Sequence, residues 1–173
     1  NISNTLNNVV NTFFLTMGIA ISIVIGQLIG AGKLKEAKET DTKMITFSLM
    51  ISLGVSALLL IAAPLFPRIY NTTGEIRYLA TRFILVYVLA TPFNAFTNAA
   101  YFTLRSGGKT VMTFIFDSGF IWAVNVPVAM LLAHFTNLPI VWMFFIISML
   151  DAIKSVVGFI LVKKGDWLNI IVE

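Results

Sequence analysis

The sequence has no cysteine and a single histidine, His134, so disulfides and thiolate metal sites are excluded and the familiar zinc centres cannot be built. Neither a nucleophile-base arrangement nor a helical His-Glu-x-x-His pattern occurs, which argues against an enzyme. The glycines at Gly30 and Gly32 follow no strand and lack the Gly-Lys-Ser/Thr ending of a phosphate-binding loop, so nucleotide binding is rejected. Ten-residue segments of alternating polarity are missing too, which removes a transmembrane barrel. Charge is scarce, at 12% of 173 residues.

What is present is apolar. Hydrophobic residues make up 58% of the chain and the mean hydropathy is +0.90, too high for a soluble domain of this size. Five apolar runs are each long enough to cross ~30 Å of hydrocarbon as a helix. The fold class is therefore all-α, a polytopic transmembrane bundle with spans expected at about 4–30, 43–65, 80–104, 110–133 and 139–162. The lipid bilayer is its first partner.

The net charge of +4 is a topology signal and not a nucleic-acid signal, because the basic residues cluster between spans. Lys33, Lys35, Lys38 and Lys43 follow the first run, Arg105 and Lys109 the third, and Lys163 and Lys164 the fifth. These groups share one side, and the positive-inside rule makes that side, and the C-terminus, cytoplasmic. Trp167 beside the two lysines fits an anchor at the inner surface. Asn1 to Asn8 lacks the basic region of a signal peptide, and the polar first helix suggests that earlier spans precede it.

Polar residues recur at helical spacing. In the first span Asn4, Asn7, Asn8 and Asn11 share a face that either lines an aqueous cavity or bonds to neighbouring helices. Gly18, Ser22, Gly26 and Gly30 form a smooth packing ridge, and Gln27 near its end is a secondary contact. The third span carries Tyr87, Thr91, Asn94, Asn98 and Tyr101 on one continuous face beside Pro92, which frees a carbonyl and kinks the axis. Bundle packing is the alternative role for that face.

Acids within spans need a reason, since each is costly to insert. Asp117 lies about two turns into the fourth span, on the side of Thr113, with Trp122 well around the axis and Pro127 bending the outer half. In the fifth span Asp151 and Lys154 stand three residues apart and can neutralise one another, which ranks them below an unpaired Asp117. The primary cavity candidates are thus Asp117, Asn94, Asn98, Tyr87, Tyr101, Thr113, Asn8 and Asn11, with Gln27, Asp151 and Lys154 secondary. No metal site is expected.

Three stretches together resemble the multidrug and toxic compound extrusion (MATE) transporters. They are GQLIGAGKLKEAK from Gly26, PFNAFTNAAYFTLRSGGKT from Pro92, and the spacing of Asp117, Trp122 and Pro127. The resemblance covers nearly the whole chain. It implies a twelve-helix protein of two six-helix lobes, of which this segment is helices eight to twelve, with the N-terminal lobe and helix seven as missing partners. It further implies export of organic cations across the cell membrane by antiport with H+ or Na+, without a cofactor. In some branches an acid on helix ten helps bind the coupling cation. Asn94 stands at that position, which puts a sodium site of that pattern in doubt and leaves Asp117 as the candidate for proton antiport. A flippase of lipid-linked precursors shares the architecture but needs basic cavity residues, and Lys154 is the one strongly basic residue within a span. A non-transporting scaffold is disfavoured by the several polar faces. A single lobe has one wall of the cavity, so the segment alone is expected not to transport.

Overall fold

The computed structural model describes residues 2–168, and these contain five long helices and no strand. They are α1 (Ile2–Gly30), α2 (Leu34–Leu65), α3 (Gly74–Ser106), α4 (Thr110–Phe135) and α5 (Ile140–Lys164). Each is long and apolar enough to cross a membrane. A 3-10 turn, Phe66–Ile69, extends α2 past Pro64. The mixed-charge stretch after Lys33 is helical and runs into α2 without a break.

Two short turns reverse the chain at the same end. Gly32 between α1 and α2 and Gly108 between α3 and α4 both adopt φ +73°, a left-handed conformation that residues with a Cβ rarely take. Because these reversals are so tight, consecutive helices pack antiparallel and their basic ends gather. Ile25, Ile29, Ala37, Leu104 and Trp167, from the ends of different elements, accordingly share one buried cluster.

Helix α3 is the centre of the bundle and packs on α1, α2 and α5. Small residues make this possible on the α2 side, where Ala37, Ser48, Ser52 and Ser56 are buried along one face. The serines do more than fill space. Pro92 lacks the N–H that would bond the Val88 carbonyl one turn back, and Ser56 Oγ donates to that carbonyl at 3.3 Å. Further along the same contact Thr103 Oγ1 donates to Asp41 Oδ1 at 2.6 Å, with both residues buried.

Two expectations of packing are corrected. Trp167 is buried, not a surface anchor: Gly165 turns the chain back, and Trp167 Nε1 donates to the Val162 carbonyl at 2.9 Å. Its own carbonyl lies where a Cβ on Gly107 would be, so the side-chain hydrogen of Gly107 makes room for this closure. The ridge of small residues on α1 is used at Gly18, against the Phe102 ring, whereas a Cβ at Gly26 or Gly30 would meet nothing within 4 Å among the described residues.

Candidate functional site

The polar face of α3 is organised as a ladder of hydrogen bonds. Tyr87 is buried and its hydroxyl donates to Asn11 Oδ1 at 2.8 Å, tying α1 to α3. One turn on, Thr91 Oγ1 donates to the Tyr87 carbonyl at 2.8 Å. Asn98 Nδ2 donates to the Asn94 carbonyl at 3.0 Å, which leaves the Asn94 amide to reach across to α5, where it donates to Asp151 Oδ2 at 3.3 Å. Thr97 and Ser155 complete the α3–α5 contact with hydroxyl oxygens 3.0 Å apart.

The charges pair differently from the sequence expectation. Lys154 does not neutralise Asp151 on its own helix; its Nζ lies 2.6 Å from Asp117 Oδ1 on α4. The side chain of Lys154 is 8% exposed and that of Asp117 42%, so the lysine is drawn into the bundle while the acid still meets open space. Asp117 is therefore not the unpaired charge of this segment. Among the described residues, no cation lies within ion-pair distance of Asp151, whose carboxylate accepts from the uncharged Asn94 amide. The reason is geometric: α5 turns Lys154 toward α4, and a lysine stem is long enough to span that gap.

Asp117 also sits in an unusual stretch of backbone. Ile115–Gly119 and Ile121–Asn125 are π-helical, and the Phe120 N–H bonds the Ile115 carbonyl five residues back. Pro127 follows directly and cannot donate to the Ala123 carbonyl, which interrupts the regular ladder there. Turns of this kind recur at functional sites because they re-aim side chains.

These groups surround a cavity of about 500 Å³ between α1, α3, α4 and α5. Asn11, Asn94, Asn98 and Tyr101 line it, together with Asp117, Asp151 and Lys154. Four candidates do not line it. Tyr87 acts behind the wall through Asn11; Thr113, its hydroxyl on the Lys109 carbonyl at 2.5 Å, lines a smaller cavity of about 160 Å³ that shares Tyr101, Arg105 and Asp117; Asn8 and Gln27 are exposed outside the cavity. Arg105 also lines it, a residue read from sequence as a topology signal. Its spacing was informative, because 94, 98, 101 and 105 continue one helical face. A larger cavity of about 790 Å³ opens between α4 and α5, but Val111, Ile115, Val124, Val157 and Leu161 give it apolar walls that cannot fix a charge.

Two carboxylates, the Lys154 ammonium, the Arg105 guanidinium and several amides thus meet in one half-enclosed space, a lining suited to a polar or charged solute.

Residues 1–131 match the family model MatE. The chain belongs to the MatE family. It is 29% identical over 132 residues to the probable multidrug resistance protein YoeA of Bacillus subtilis, covering 74% of this chain and 28% of that protein. Over 124 residues it is 27% identical to the probable multidrug resistance protein NorM of Oceanobacillus iheyensis, covering 72% and 28%. Human multidrug and toxin extrusion protein 1 is 23% identical over 145 residues, covering 83% and 25%. This MatE chain thus spans about a quarter of the length of the curated relatives it matches. No solved structure gives a significant match.

Proposed function

We propose that this chain is one wall of a secondary active exporter of organic cations, coupled to an inward cation gradient, with H+ as the coupling ion. The observation that carries this reading is the grouping of Asp117, Lys154 and Asp151 in one polar cavity. Lys154 occupies Asp117, which leaves Asp151 to hold a cationic solute against the amides of Asn94 and Asn98. A proton arriving at Asp117 breaks its pair with Lys154. The freed ammonium then stands one turn from Asp151 and displaces the solute there by like charge. Loss of the proton restores the pair and resets the site. The names of the multidrug resistance relatives support drugs as the solutes.

The same pairing weighs against a flippase for anionic lipid precursors: of the two basic residues that line the cavity, Lys154 is already held by a carboxylate, which leaves Arg105 alone to bind a phosphate. Dye efflux by the full-length protein in proteoliposomes tests the proposal. Asp151→Asn should abolish binding of the cationic dye, whereas Asp117→Asn, the neutral mimic of the protonated acid, should weaken binding at every pH and lose its response to an imposed pH gradient. Gradient-driven efflux undiminished in Asp117→Asn would sink proton coupling at this site.

A further inference from the structure

We infer that a groove between α2, α3 and α5, at the basic end of the bundle, holds one anionic phospholipid. The groove has a volume of about 500 Å³ and lies on the far side of α3 from the polar cavity. Phe96 faces it, and Phe96 stands two residues from both Asn94 and Asn98, hence roughly opposite them around the helix. The two spaces therefore serve different solutes.

The walls suit an acyl chain. Ile45, Leu49, Phe96, Phe159 and Val162 run along the groove and present hydrocarbon. Against bulk lipid such a wall alone carries no preference, because lipid tails are as apolar as the side chains. The selectivity is at the mouth, where Lys38 from the start of α2 and Lys163 from the end of α5 both line the groove. The Lys163 ammonium rests 5.7 Å from the centroid of the Phe159 ring, which keeps it over the groove and not extended into water. Asp41 also lines the groove, but it is buried and its carboxylate is bound inward by the Thr103 hydroxyl. Two ammonium groups over a chain-sized apolar slot are complementary to a lipid whose headgroup is anionic overall, in the manner of basic pockets between spanning helices. A soluble anion would use the lysines and leave the slot empty, and a zwitterionic lipid would fill the slot while its own ammonium offset the phosphate and was repelled by the two lysines.

Trp167 lines the same groove, which supplies a reporter. Trp122 and Trp142 are exposed on the outer surface, so replacing both with Phe leaves Trp167 as the remaining tryptophan. The full chain in mixed micelles is titrated with brominated phosphatidylglycerol and, separately, with brominated phosphatidylcholine, whose bromines quench on contact. The expected result is quenching of Trp167 by phosphatidylglycerol at a mole fraction at least about fivefold lower, since each lysine near a lipid of net negative charge is worth about that factor. Lys38→Gln with Lys163→Gln should remove the preference, while Lys33→Gln with Lys35→Gln, which lowers the charge of the same end outside the groove, should keep it. Equal quenching by both lipids in the unaltered groove overturns the inference. So does a preference that survives in the first pair of variants, or one that is lost equally in the second.

Discussion

Lys154 on α5 places its ammonium 2.6 Å from the Asp117 carboxylate on α4, across a helix interface and away from the acid three residues before it on its own helix. Together with Phe116, which is buried in the core cluster, this contact fastens the least buried of the five spans to the rest of the bundle.

Breaking the pair from either side should be costly and breaking it from both sides should be mild. Lys154→Met or Asp117→Asn alone leaves a charge without its partner, and each is expected to lower stability by about 2 kcal/mol, between the ranges for exposed and buried pairs. The double variant should recover most of that loss. Thermal unfolding in detergent of the four proteins gives the coupling, and additive losses would mean that the contact contributes nothing.

The hydroxyl of Ser56 should matter only while residue 92 is proline. Ser56→Ala strands the Val88 carbonyl and should cost about 1 kcal/mol. In a Pro92→Ala background the backbone N–H at position 92 can supply the missing bond, so the same serine change should cost close to nothing. Unfolding midpoints of this second cycle decide it, and an equal cost in both backgrounds would refute the compensation.

At Gly107 a single methyl group should open the closure made by Trp167. Gly107→Ala meets backbone, which cannot rotate away as a side chain can, and a loss of about 1–3 kcal/mol is expected. With Trp122 and Trp142 replaced by Phe, the emission of Trp167 should move to the red as the indole is exposed. Gly26→Ala, where a Cβ meets nothing within 4 Å among the described residues, is the control and should neither lower stability nor shift the emission.

Much of the architecture was legible because the bilayer imposes a simple rule, a run of apolar residues of fixed minimum length for each crossing. The cavity face of α3 was legible for a similar reason, since Asn94, Asn98 and Tyr101 repeat at helical spacing. Partner choice was not. Whether Lys154 takes Asp151 or Asp117 depends on how closely α4 and α5 approach, a quantity that spacing along one helix does not contain. Asn8 shares the sequence pattern of Asn11 yet does not line the cavity, because the two stand roughly 60° apart around the helix. Trp167 misled in the opposite sense. Its neighbours Lys163 and Lys164 are those of an interfacial anchor, and only the reversal at Gly165 sends it into the core.

That reversal also bears on the order in which the protein is made. Trp167 follows all five helices in the chain but packs in the same cluster as Ile21, Ile25 and Ile29 from the first. The core at the basic end therefore cannot close before residue 167 has been made. A nascent chain halted after α4 has Gly107 uncovered and the ends of α1 and α3 without the indole that seals them.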